Sequence, residues 1–121
     1  MGTNAERKNV GGIIGGLIMQ EILIREELLD EVKAGRKTTT CRNGKRDYAM
    51  GETRLKSNST ENFAMINLLK MEFRTVGTLD DEIAKTDGFK TKSDFISVME
   101  DIYGKLDDDS VITVVYFELL K

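Results

Sequence analysis

Histidine, proline and tryptophan are absent from this 121-residue chain, and cysteine occurs once. Without histidine there can be no serine–histidine triad, no cysteine–histidine dyad and no imidazole metal site. A single cysteine cannot form an internal disulfide, so nothing points to an oxidising compartment and a cytoplasmic protein is expected. Without proline, every turn must rest on Gly, Asn, Asp or Ser. The aromatics are three tyrosines and five phenylalanines, too few for both a core and an aromatic platform for single-stranded RNA. Long apolar runs are also missing. Val10–Ile18 spans nine residues and is broken by four glycines, too short to cross a bilayer, and no small-residue cleavage site follows it. No EF-hand spacing occurs. A carboxylate-only magnesium or calcium site stays open, but the Asp107–Asp109 run reads as a solvated turn. No metal, cofactor or membrane partner is expected.

What is present is an ordinary globular composition, 40% apolar and 32% charged, in a length that fits one domain with one real core. The net charge is −3, from 18 basic and 21 acidic residues. That mean conceals an asymmetry. Lys33, Arg36, Lys37, Arg42, Lys45 and Arg46 fall in a stretch with no acid, so the rest of the chain carries 12 basic against 21 acidic groups, or −9. A basic patch on an acidic body suits a local anion site better than a general nucleic-acid surface. A solvated basic loop is the bland alternative. The stretch AGRKTTTCRNGKR (Ala34–Arg46) adds three consecutive threonines and the lone cysteine to that patch.

Along the chain, residues 1–18 read as a disordered leader or upstream extension, since four glycines make ordering costly. Met19 would then be the natural start, with one domain over 19–121. Glu21–Ile24 reads as a strand and Glu26–Ala34 as a helix, with acids first, Lys33 last and Gly35 as the stop. The threonines favour extension, and Asn43–Gly44 marks a turn. Gly51–Ser57 and Phe63–Val76 read as strands, with Leu69, Met71 and Phe73 on one face of the second. Asp80–Lys85 reads as a short helix before Gly88. A clearer helix runs through TKSDFISVMEDIYGK, capped by Thr91 or Ser93, with Phe95, Val98, Met99, Ile102 and Tyr103 as a core face rather than a ligand box. Val111–Leu119 is a β-branched closing strand. The strands outnumber the helices, and the helices are not placed as regular crossovers. The fold expected is α+β: a small mixed barrel with short flanking helices.

The spacing Gly35-x-Lys37-x-x-x-x-Arg42, after a short helix and before a turn and a "GE" strand, resembles the signature of the ASCH domain, a family of the PUA-like barrel superfamily. Four further stretches resemble the family in the same order: DYAMGETRLK, EFRTVGTLDDEIAKTDGF, DFISVMEDIYG and VVYFEL. Together they cover Met19–Lys121. The resemblance implies a PUA-like mixed β-barrel and a role in binding RNA or a nucleoside, with Gly35, Lys37 and Arg42 as ligand-binding residues. One small branch of the family consists of amidohydrolases that deacetylate acetylcytidine, and AGRKTTTCR resembles that branch. Its catalytic lysine and threonine fall on Lys37 and Thr40. Its glutamate falls near Asp87, after a one-residue gap and with a side chain one methylene shorter.

The residues themselves leave alternatives open. Lys37 is either a site residue or a cation favoured by a helix C-terminus, worth about 0.3–1 kcal/mol. In an extended segment Thr38, Thr40 and Arg42 share one face while Lys37, Thr39 and Cys41 share the other. Thr40 therefore meets Lys37 only across a bend. Arg42 suits bidentate capture of a carboxylate or phosphate, or else pairs with Asp87 or Asp47 to close the barrel. Tyr48 is a candidate for stacking on a base. Cys41 reads as a small packed residue. Three functions stand: an RNA- or nucleoside-binding domain with a basic cleft, an acetylcytidine amidohydrolase acting through Lys37, Thr40 and Asp87, and a protein-interaction module without pocket chemistry. The second requires Asp87 near Lys37. The third requires Lys37 and Arg42 both locked in ion pairs, with no open cleft.

Overall fold

The computed structural model describes residues 10–14 and 17–120. In chain order these form β1 (Val10–Ile14), β2 (Leu17–Ile24), α1 (Glu26–Lys33), β3 (Thr39–Asn43), β4 (Gly51–Ser57) and β5 (Phe63–Thr75). A 3-10 turn (Val76–Thr78), α2 (Asp81–Thr86), α3 (Lys92–Tyr103) and β6 (Val111–Leu119) follow. The strands make one mixed sheet in the order β1-β2-β4-β5-β6-β3. Only β2 and β4 run parallel; the other pairs are antiparallel.

The α+β class is as expected, but the barrel is not closed by a backbone ladder. β3 is one end of the strand order, and no ladder joins it to β2 among the described residues. Most of the leader read over residues 1–18 lies outside the described residues. Within it, Val10–Ile14 pairs with the first half of β2. No helix among the described residues is long and apolar enough to cross a membrane.

The helices form where the local chemistry directs them. Glu26 and Glu27 open α1 and Lys33 closes it, each charge opposing the helix dipole. Gly35, at φ +82°, carries the chain out in a conformation that other residues rarely adopt. Asp80 and Thr91 each accept a hydrogen bond from an N–H in the first turn of α2 and α3, respectively, satisfying donors that have no partner inside the helix.

The core lies on both faces of the sheet. Leu29 and Val32 of α1 pack with Ile22, Leu55, Ile66, Val115 and Phe117 on one face. Ala84 of α2 and Phe95 and Met99 of α3 pack with Cys41, Ile112 and Val114 on the other. β6 contributes to both clusters, so its first seven residues are almost all apolar rather than alternating, Thr113 being the one polar break. β5 keeps alternation through Ala64, Ile66 and Leu68, then bulges between Leu68 and Lys70. The extra residue is Leu69, which is left exposed, while Met71 returns to the first cluster. The bulge shifts the two-residue period by one, so the inward set passes from the even-numbered Ala64, Ile66 and Leu68 to the odd-numbered Met71.

Glu26 ties α1 to the turn between β4 and β5. Its carboxylate accepts hydrogen bonds from the Thr60 hydroxyl (2.7 Å) and the Asn62 amide (2.8 Å). Hydrogen bonds from Ser57, Thr60 and Asn62 lower its pKa from 4.5 to about 2. A carboxylate depressed in the folded state contributes stability that is complete above pH 4.5 and lost as the pH falls toward 2. Glu26→Gln should flatten that part of the stability–pH curve, measured by urea unfolding at several acidic pH values. In the core, Phe117→Ala should cost about 3–5 kcal/mol of unfolding free energy in the same assay.

Candidate functional site

The segment linking α1 to β3 is held from three directions. The Lys37 amide donates to the Glu31 carbonyl (3.1 Å), the Thr38 amide to the Thr86 carbonyl (2.7 Å), and the Phe117 amide to the Thr38 carbonyl (3.1 Å). Pinned this way, Lys37 turns its side chain inward and is only 2% exposed. Its aliphatic stem packs beside Gly88, where a Cβ would stand 3.7 Å from Lys37 Cδ.

The Lys37 ammonium meets Asp87 twice. Nζ lies 3.0 Å from the carboxylate Oδ1 and donates to the Asp87 carbonyl at 2.9 Å. Asp87 is the C-cap of α2. The lysine therefore serves the negative end of α2 and not the end of α1, as its place in the sequence suggests. The Thr39 hydroxyl donates to the same Oδ1 at 3.1 Å and lies 3.0 Å from the Thr86 hydroxyl. Burial pushes the Lys37 pKa down, and the Asp87 carboxylate opposes that shift. Burial, followed by the neighbouring Asp87 charge, raises the Cys41 thiol well above its usual pKa, so it packs as a neutral thiol.

Arg42 points to the other side of β3. One terminal nitrogen donates to the Thr40 hydroxyl (2.6 Å) and the Cys41 carbonyl (2.9 Å); the other donates to the Leu23 carbonyl of β2 (2.6 Å). Its guanidinium thus bridges the two strands that no ladder joins. Neither the Asp87 nor the Asp47 pairing forms. An always-charged fork with several donors can satisfy strand-edge carbonyls that would otherwise lack partners.

At this seam lies a cavity of about 160 Å³. Lys37, Thr40, Cys41, Arg42 and Asp87 supply its polar side, and Phe95, Val98, Met99 and Ile102 of α3 form much of its apolar wall. The alternation read from the sequence holds, with Lys37, Thr39 and Cys41 toward Asp87 and Thr40 toward Arg42. Both faces nevertheless reach the cavity because it sits at the end of the sheet, beside β3. Of the predicted site residues, Lys37, Thr40, Arg42 and Asp87 come together. Gly35 and Tyr48 do not line the cavity. Gly35 is an exposed helix stop, and Tyr48 is buried in the first core cluster, where its ring cannot stack on an incoming base. The α3 face was expected to be core alone. Phe95 and Met99 are core, yet the same face walls the cavity, and Ile102 is exposed near it. Thr39, Thr86 and Asn58 were missed: a threonine in a β-prone run carries no signal of a tertiary hydrogen bond. Among the described residues no group of three or more Cys, Asp or Glu converges as a metal site.

The site is therefore a buried lysine–aspartate pair and an arginine bridge around a small cavity at the seam of a mixed sheet. The family model described as "ASCH domain" matches residues 17–121, and the chain belongs to that family. Solved structures share the fold. Protein EF3133 from Enterococcus faecalis V583 has a TM-score of 0.65 at 17% identity, covering 86% of this chain and 82% of that one. Hypothetical protein PH0355 has a TM-score of 0.64 at 15% identity, covering 83% and 97%. An ASCH domain from Lactobacillus crispatus JV V101 has a TM-score of 0.58 at 12% identity, covering 77% and 70%. No curated protein matches the sequence.

Removing one member of a buried ion pair strands the other charge. Asp87→Ala should destabilise the fold by about 3–5 kcal/mol. Lys37→Met combined with Asp87→Ala should recover much of that loss, because no unpaired charge remains. Urea unfolding of both single variants and the double variant checks this.

Proposed function

We propose that the seam cavity receives a nucleobase, presented either within RNA or as a free nucleoside. The observation that carries this reading is the cavity's size combined with its lining. An apolar cavity of about 150 Å³ accepts benzene, so about 160 Å³ suits one flat ring and leaves sugar and phosphate at the mouth. Arg25 and Asn58 line the cavity as well and offer polar contacts to those groups. The wall is mostly apolar with a few polar groups on one side, the composition of small-ligand sites. An ammonium has three N–H groups; Lys37 lines the cavity and directs two of them at Asp87 oxygens, which leaves one for a ring edge in this reading. Membership of a family thought to bind RNA agrees with this reading. Arg42 is assigned to holding the seam rather than to phosphate, since its terminal nitrogens already donate to Thr40, Cys41 and Leu23.

Calorimetric titration with the four ribonucleosides and short single-stranded RNA tests the proposal. Val98→Phe fills the cavity from α3 and should weaken binding by about tenfold or more, on the order of 1.4 kcal/mol, with an unchanged unfolding midpoint. RNA binding should fall steeply with salt and nucleoside binding should not. Binding indifferent to Val98→Phe would remove the cavity from the account.

Hydrolysis of an acylated cytidine is the second reading, favoured by the 3.0 Å contact between Lys37 and Asp87. This contact supplies the juxtaposition that reading requires. Burial also lowers the Lys37 pKa, which favours the neutral amine that a general base needs. In this scheme Thr40 Oγ1 adds to the acyl carbonyl carbon; because Thr40 faces Arg42 on the other side of β3, its proton must reach neutral Lys37 across the cavity that both residues line. The C–N bond then breaks, Lys37 returns the proton to the leaving amine, and water hydrolyses the acyl–threonine ester. Purified protein should then turn over acetylcytidine, Thr40→Ala should abolish turnover, and Thr40→Ser should retain part of it because the hydroxyl remains. No turnover by folded protein would leave the binding reading alone. The interaction-module alternative required both cations in ion pairs and no cleft. Arg42 donating only to neutral oxygens beside a cavity weighs against it.

A further inference from the structure

The two edges of β5 are used unequally. β6 pairs along it from Ile66 to Thr75, but β4 reaches only to Leu68. From Leu69 to Thr75, one edge therefore carries no ladder among the described residues. Leu69 and Phe73 on this stretch are 53% and 49% exposed. An open edge with exposed apolar side chains is a template for another strand.

The sequence of this edge, Leu69-Lys70-Met71-Glu72-Phe73, is chemically palindromic. We infer that two copies of this chain associate through these edges, antiparallel, with Met71 on the two-fold axis. In that register Leu69 of each copy lies opposite Phe73 of the other, and Lys70 opposite Glu72. Each pair occurs twice, as a two-fold interface requires. Apolar and opposite-charge pairs directly across an antiparallel ladder are stabilising; like charges there are not. Neighbouring registers fail on this ground. An axis at Glu72 sets two glutamates face to face and Lys70 against Arg74. An axis at Lys70 sets two lysines together. A lone lysine normally keeps an edge strand from pairing, but here the partner copy supplies its counter-charge. The β5 bulge begins this segment without interrupting it, since regular pairing to β6 resumes at Lys70 and continues to Thr75. A five-residue strand pair is smaller than a standard interface, so the dimer belongs to the reversible class.

Within one chain, Lys70 rests over the Tyr116 ring (4.5 Å), and Glu72 accepts the Tyr116 hydroxyl (2.7 Å). Both side chains therefore lie on the same sheet face, as the cross-axis pairing requires; to make it they exchange contacts with Tyr116, and for Glu72 the 3.7 Å approach of Arg74, for the partner copy's charges. The test is sedimentation of the full chain over a concentration series, together with Lys70→Glu, Glu72→Lys and an equimolar mixture of these two variants. The wild type should dimerise reversibly. Each single variant places like charges opposite one another twice and should weaken self-association by about tenfold or more. The mixture should recover it. In a mixed pair, both acids on the copy carrying Lys70→Glu face both lysines on the copy carrying Glu72→Lys, so each cross-strand contact is again of opposite charge. Circular dichroism confirms that each variant is folded. A wild type that stays monomeric at high micromolar concentration, a dimer insensitive to either reversal, or a mixture that does not recover association would each overturn the inference.

Discussion

The site depends on one buried ion pair. Lys37 and Asp87 lie 50 residues apart in sequence and meet at 3.0 Å with almost no solvent access. Withdrawing both charges from water is costly, and their attraction offsets that cost only when the remaining donors and acceptors are also satisfied. Here they are met locally. The ammonium also donates to the Asp87 carbonyl, and the carboxylate also accepts from Thr39. The pair thereby fixes the exit of α1 against the end of α2. This sets the start of β3 and positions one end of the cavity.

The second constraint is the seam. β2 and β3 approach without pairing, and Arg42 connects them by donating to Leu23 and Cys41 carbonyls. A true ladder there would complete a barrel and leave no room beside it. A guanidinium in its place holds the strands together while leaving a gap, and α3 roofs that gap with apolar side chains. Lys37 and Arg42, the two cations of the family motif, thus have different roles. One stabilises the junction of two helices and a strand; the other holds an incomplete sheet.

Much of the fold could be read from the chain. β4 and β6 lie where their alternation and β-branching place them, and α1, α2 and α3 start and stop within a residue or two of their acids, caps and glycines. These features are local: a cap, a dipole or a two-residue period acts over a few residues and leaves a mark in sequence. The bulge at Leu69 left no such mark; it falls where β4 stops pairing with β5, at Leu68, while β6 continues. β1 was hidden for a similar reason. Val10–Ile14 is glycine-rich and short, and it becomes a strand by pairing with β2.

The site divides along the same line. Residue order alone dictates which chemistries are unavailable and where the basic and hydroxyl-bearing stretch lies; the family motif singles out Lys37 and Arg42, and the resemblance to one branch of the family adds Thr40 and Asp87 as candidates. What each of them does emerges from the folded chain. Tyr48, a plausible stacking ring when read in sequence, is taken by the core. Arg42, expected to seek an anion, is claimed by two carbonyls of separate strands. The α3 face, periodic enough to be pure core, also walls a cavity. Composition and periodicity report how a segment prefers to fold, but a hydrogen bond across 50 residues depends on where distant elements come to rest, and no local pattern encodes that position.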